Sequence, residues 1–180
     1  MMSNNLDFQI SIFKRFQQYL ESVQFKTVFR EPTPEIPIHS LVTLFEGIGD
    51  RNDSAMFEFY FLPIQEKEAE ENGINILQIY ATIKEDIKPQ YFNELYMAIS
   101  ALNPYMPVGA FGLAEESGSI YMKYNMILLQ GAGEEAAIQS IDLHFGFILK
   151  LVDSYTDLLT DIADGAKTTA GAKADGFFPG

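Results

Sequence analysis

Residues 103–113 read NPYMPVGAFGL, with two prolines and two glycines in eleven positions. A phosphate cradle places its glycines so that they lead into a helix N-terminus. Here the order is reversed. The segment before it, Pro89 to Leu102, carries Tyr91, Leu95, Ala98, Ile99 and Leu102 at helical spacing, and it opens on a proline, which suits a first turn. The segment after it alternates. The stretch therefore predicts a corner where a helix hands over to a strand, with Gly109 and Gly112 allowing a bend or close packing in that strand. No ligand role follows from it.

Working outward, Val108 to Glu115 and Ser119 to Leu129 read as two strands around the turn Glu116-Ser117-Gly118. In the second, Ile120, Met122, Tyr124, Met126 and Leu128 share one face. Acids at Glu134 and Glu135 then open a helix that runs to Ala163, where the dipole favours negative charge at the start. Its stripe is Ile138, Ile141, Phe145, Ile148, Leu149, Val152, Tyr155, Leu159 and Ile162. On the N-terminal side, Leu6 to Val23 is an amphipathic helix with a wide aromatic band: Leu6, Ile10, Phe13, Gln17 and Leu20 lie near one line, and Phe8, Ile12, Phe16, Tyr19 and Val23 lie beside it.

EPTPEIP at 31–37 cannot be helical. Three strands follow, Ile38 to Phe45, Ala55 to Ile64 and Ile74 to Ile83, separated by the polar loops GDRNDS and QEKEAEENG. Short connections predict an antiparallel meander. The fold class expected is α+β: a single antiparallel sheet of about five strands with packed helices, in the order α-β-β-β-α-β-β-α. One domain over residues 1–164 is expected, followed by a flexible Gly/Ala-rich tail at 165–180.

Composition narrows the function classes. The 180 residues carry a net charge of -13, 47% hydrophobic residues and no cysteine. Thiolate metal sites, disulfides and thiol catalysis are excluded. An acidic surface repels phosphate backbones and anionic lipid heads, so neither nucleic acid nor a membrane is an expected partner. No apolar run reaches the roughly 18 residues of a membrane span. MMSNNLDFQISIFKRF lacks the pattern of a secretory signal, and a cytoplasmic location is expected.

No chemistry-bearing constellation emerges. Ser140 and His144 share a helix face, but a triad draws its members from separate elements. His39 and His144 are too few and too far apart to argue a zinc site. The carboxylates Glu66, Glu68, Glu70 and Glu71, with Glu115 and Glu116, fall in loops, where burial does not shift a pKa. The DRNDS loop lacks the glycine and distal glutamate of a calcium loop. No enzyme, cofactor or metal is expected.

Two features point to a partner instead. Asp153, Asp157, Asp161 and Asp164 form a negative stripe on the last helix. Like charges at that spacing cost about 0.2–0.5 kcal/mol per pair, and the C-terminal dipole disfavours them too. A docking face for a basic partner would account for the arrangement. Secondly, the second strand, MFEFYFLPI, is apolar on both faces, with Phe57, Phe59 and Phe61 on one of them. If helices cover only one face, the other mediates dimerisation or client binding.

The first helix LDFQISIFKRFQQYL, the segment LYMAISALN and the hairpin VGAFGLAEESGSIYMKY, followed by the long last helix, resemble the YbjN-like family and the fold it shares with bacterial type III secretion chaperones, over about residues 6–163. The resemblance implies a small, acidic α+β protein, often a homodimer, that holds a client polypeptide along its surface. The chain departs from that pattern in its proline-rich connector and glycine-rich tail. The alternative expectation is a regulatory domain that binds a small molecule between sheet and helices.

Overall fold

The computed structural model describes residues 4–64, 67 and 71–178. Glu66, Glu68 and Glu70 of the charged loop lie outside the described residues, as do positions 179 and 180 of the tail. The elements are α1 (Asn4–Ser22), β1 (Thr27–Arg30), β2 (Ser40–Ile48), β3 (Asp53–Leu62), β4 (Ile74–Lys84), α2 (Phe92–Leu102), β5 (Ala110–Ala114), β6 (Ser119–Leu129), α3 (Glu134–Ala163) and α4 (Thr169–Ala174). The fold is α+β, with one antiparallel sheet of six strands in the order β1-β2-β3-β4-β6-β5. The strand beyond the five expected is β1. Its four residues, TVFR, pair antiparallel with Ser40–Thr43, Val28 opposite Val42 and Arg30 opposite Ser40.

Backbone proximity groups the chain into two compact units. The first comprises Met1–Leu44, Phe57–Ile79 and Asn125–Gly146. Its core is aromatic. Phe57 and Phe59 are fully buried and Phe61 nearly so. Phe13 of α1 meets Phe61 with ring centroids 5.1 Å apart, Phe16 meets Phe59 at 5.2 Å, and Phe145 of α3 meets Phe57 at 5.3 Å and Phe59 at 5.2 Å. The tilted and edge-on geometries are those that favour aromatic pairs, each contributing about 0.5–1.5 kcal/mol beyond area burial.

A polar staple joins α1 to the start of α3 in the same unit. The Ser11 hydroxyl donates to Glu134 Oε1 at 2.7 Å, and Arg15 donates to Glu134 at 3.2 Å and Glu135 at 2.7 Å. The Ser11 hydrogen bond, and then Arg15, hold the Glu134 carboxyl below its ordinary 4.5. A carboxyl depressed in the folded state adds stability that is fully present above the unfolded value and fades as pH falls through the folded value. Replacing Ser11 by Ala should therefore narrow the stability difference between pH 7 and pH 3, read from thermal melts at the two pH values. An unchanged difference would show that the staple does not titrate with folding.

The second unit comprises Phe45–Met56, Tyr80–Tyr124 and Phe147–Gly180. Phe111, Leu113, Ile120 and Met122 are buried, and Tyr155 of α3 stands edge-on to Phe111. The corner predicted from NPYMPVGAFGL forms as a single 3₁₀ turn over Asn103–Tyr105 followed by β5. Gly109 takes φ 69, and a Cβ there would stand 3.0 Å from the Lys123 carbonyl. Gly112 pairs with Tyr121, whose ring occupies the space of the missing side chain and stacks on Tyr80 at 4.9 Å. The glycines thus supply a bend and a close packing.

The segment expected to be a flexible tail instead forms α4. The Thr168 hydroxyl caps it by accepting from the Gly171 amide. Thr169 donates its amide to the Glu94 carboxylate at 2.9 Å and its hydroxyl to the Glu94 carbonyl at 2.8 Å. Ala172 is fully buried. Small residues show no apolar periodicity, which is why the sequence pattern conceals a helix that a cap and one glutamate hold in place.

Candidate interaction surfaces

The pleat of the sheet sends alternate side chains to opposite faces. In the first unit one face carries Phe57, Phe59 and Phe61 and is closed by α1 and α3. The sequence offers these phenylalanines as candidates for partner binding. The helices bury them, so their place is the core and the surface lies on the opposite side. There Val28 is 58% exposed, Leu44 50%, Ile127 68% and Leu129 52%.

The polar groups of this open face bond to one another. The Ser40 hydroxyl donates to Glu58 at 2.7 Å, Arg30 stands 3.6 Å from the same carboxylate, and Gln78 donates to the Tyr60 hydroxyl. Burial, aided by the nearby Glu58 charge and opposed by the Gln78 bond, pushes the Tyr60 phenol above its ordinary 10.0. The outcome is a face of mixed apolar and polar side chains on which Arg30 and Glu58 form an ion pair.

The two edges of the sheet differ. At β5 the Asn103 side chain accepts from the Phe111 amide at 2.9 Å and donates to the Phe111 carbonyl at 3.0 Å. A side-chain amide here takes the place of a neighbouring strand, which blocks edge pairing. This is the physical role of the Leu-Asn that ends α2. At the other edge, among the described residues, β1 bonds to β2 on one side only. Sequence reasoning misses both facts. The Asn103-Pro104 pair reads as a helix stop, and residues 27–30 receive no assignment.

The acidic stripe finds partners within the second unit. Asp153 accepts from the Gly49 amide at 2.8 Å, Asp157 from the Asp50 amide at 2.7 Å, and Asp161 pairs with Arg51. Asp164 pairs with Lys84 at 3.1 Å. The stripe was expected to face a basic partner. Each of its members has a partner in the β2–β3 loop or at the end of β4, while Asp157 Oδ1 is buried without a hydrogen-bond partner. A hydrogen bond of this kind contributes about 0.5–1.5 kcal/mol, more than the 0.2–0.5 kcal/mol that a like-charge helical pair costs, so intramolecular contacts account for the pattern. The sequence signal is present in the glycine-rich loop Gly47-Ile48-Gly49-Asp50-Arg51, whose free amides and arginine need acceptors.

Each histidine has a partner of its own. His144 Nδ1 lies 2.7 Å from the Ser140 carbonyl oxygen, a contact of the helix with its own backbone. His39 stacks on Phe29 and meets Glu31 at 2.9 Å. Among the described residues no group of three or more His, Asp or Glu side chains is placed to hold a metal ion, and no helix is long and apolar enough to cross a membrane. A concavity of about 360 Å³ beside α4 is lined by Met97, Ala101 and Ala170, and its one carboxylate, Glu94, is already taken by Thr169.

No family model matches the chain, and no curated protein or solved structure matches it. Any functional reading therefore rests on the open edge, the open face and the resemblance carried by the sequence.

Proposed function

We propose that the chain is a non-enzymatic protein-interaction module with the fold of the YbjN-like proteins and secretion chaperones, and that it binds an extended polypeptide segment as an added strand at the β1 edge. The observation that carries this reading is the asymmetry of the edges. Asn103 shuts β5, whereas β1, among the described residues, pairs on one side only. An added strand gains main-chain hydrogen bonds from such an edge, and its alternate side chains meet Val28 and Arg30 on one face and Phe29 on the other. The net charge of -13 favours a basic client by long-range attraction.

The test uses a synthetic peptide of alternating valine and lysine, and the same peptide N-methylated at every second residue. The unmodified peptide should slow amide exchange at Thr27–Arg30. The N-methylated form, which lacks the donors, should bind at least about tenfold more weakly, a difference of about 1.4 kcal/mol. Equal binding of the two peptides, or protection confined to other strands, would overturn the proposal.

A further inference from the structure

α4 is too short to be a helix by itself. Its six residues, TAGAKA, include a glycine, and isolated helices shorter than about 12–15 residues are marginal in water even when rich in alanine. Its shape therefore depends on where it docks, and the docking is concentrated on α2. Thr169 gives two donors to Glu94, its amide to the carboxylate and its hydroxyl to the carbonyl. Thr169 and Ala172 are the buried residues of the helix. We infer that this side of α2 is a docking seat for a short helix of another polypeptide, and that α4 is a strap that fills the seat in cis.

Three observations carry the inference. First, the seat is a groove that the strap does not fill. Glu94, Met97 and Ala101 stand at i, i+3 and i+7, one line along α2. They line the concavity beside α4 together with Ala170 and Lys173, and Met97 is half exposed with the strap in place. Secondly, the strap is built to move as a piece. It lies between Gly165 at φ 73 and Gly176 at φ 76, residues that take up a change of chain direction at low steric cost. Several of its contacts are its own. Lys167 pairs with Asp175 at 3.3 Å and stands 3.9 Å over the Phe177 ring, and the Phe177 amide donates to the Ala172 carbonyl at 3.0 Å. These travel with it. Undocking gives up chiefly the two Glu94 bonds and the burial of two small side chains, the scale of a local opening rather than of global unfolding. Thirdly, the charge matches. Residues 165–178 hold two lysines against one aspartate on a chain of net charge -13, and an acidic surface attracts a basic segment.

The present occupant thus defines the partner: a short helix with a hydroxyl residue in its first turn to meet Glu94, small residues on its buried side and a positive balance of charge. A helix laid into a groove is a recurring mode of peptide recognition. The strap sets a threshold for it, because a partner binds with an affinity reduced by the fraction of chains whose seat is empty.

The inference does not rest on the β1 reading. Its probe is a labelled peptide of residues 165–178, offered in trans to the full wild-type chain and to full-chain Ala172→Glu. Ala172 is fully buried, so the larger charged side chain expels the strap and empties the seat. The variant should bind the peptide at least about tenfold more tightly than wild type, and adding Glu94→Ala should remove that gain. If Ala172→Glu lowers the melt of the whole chain, Thr168→Ala, which deletes the cap hydroxyl, should give a gain in the same direction. In the wild-type chain the Ala172 and Phe177 amides should exchange together and ahead of the amides of β4. Exchange of Ala172 at the rate of the β4 amides would mean that α4 opens only with the whole molecule and would overturn the inference. So would a peptide that binds wild type and both strap variants equally, or binds none of them.

Discussion

Phe59→Ala is expected to lower the unfolding free energy by about 3–5 kcal/mol, the usual cost of emptying a buried phenylalanine site. Phe59 is fully buried, and the rings of Phe16 and Phe145 both stand edge-on to it at 5.2 Å. Removing it withdraws the ring on which one residue from α1 and one from α3 converge. The two helices are tied to this face by large side chains and cannot collapse freely into the gap. For a chain of this size the loss should appear as a fall in melting temperature of roughly 6–20 °C. Phe59→Leu, which keeps most of the volume, should cost less than about 1.5 kcal/mol. Leu44→Ala on the open face should change stability by no more than about 0.5 kcal/mol. The contrast separates the two faces of the sheet. Were Phe59 a partner contact, Phe59→Leu would leave the melt intact and lower association. The structure requires the reverse, a shift in the melt with association unchanged.

That contrast also marks how far the sequence is legible. The aromatic band of α1, the stripe of α3 and the hairpin β5–β6 follow from periodicity, and Phe8, Ile12, Phe13, Phe16, Ile141, Phe145 and Val152 are buried where the spacing places them. Periodicity cannot say which face of β3 the helices cover, because Met56, Tyr60 and Leu62 are nearly as apolar as Phe57, Phe59 and Phe61. Only the tertiary arrangement breaks that tie. β1 escapes notice because four residues show too little alternation beside a run of prolines. The stripe of aspartates is an arrangement that an isolated helix would not favour, and the sequence shows that much. Its cause lies inside the molecule, where the acceptors serve amides of a loop about a hundred residues away in sequence. Such pairings leave no local pattern. The same holds for Asn103, whose bonds to Phe111 depend on the turn that intervenes.

Asn103→Ala should cost about 1–3 kcal/mol, because the Phe111 amide and carbonyl lose their partner in a part-buried position. The effect on the edge should be the more informative one. With the cap gone, β5 presents free backbone groups beside the exposed Ala110, the condition under which sheet edges pair between molecules. Exchange of the Phe111 amide should accelerate, and light scattering should rise with time at high protein concentration. Asn103→Asp divides the two bonds. Its carboxylate still accepts from the Phe111 amide, but it cannot donate to the carbonyl and instead sets a negative charge against that oxygen. Protonation supplies a hydroxyl that can donate again. The pKa of the introduced carboxyl would therefore be raised in the folded state. A raised group adds stability that is present at low pH and fades as pH climbs through the folded value. Asn103→Asp should accordingly lie closest to wild type in acid and fall away from it toward neutral pH, a dependence that Asn103→Ala cannot show. Equal Phe111 exchange rates in the wild-type and Asn103→Ala proteins would mean that some other group closes this edge, and the asymmetry on which the β1 reading depends would be lost with it.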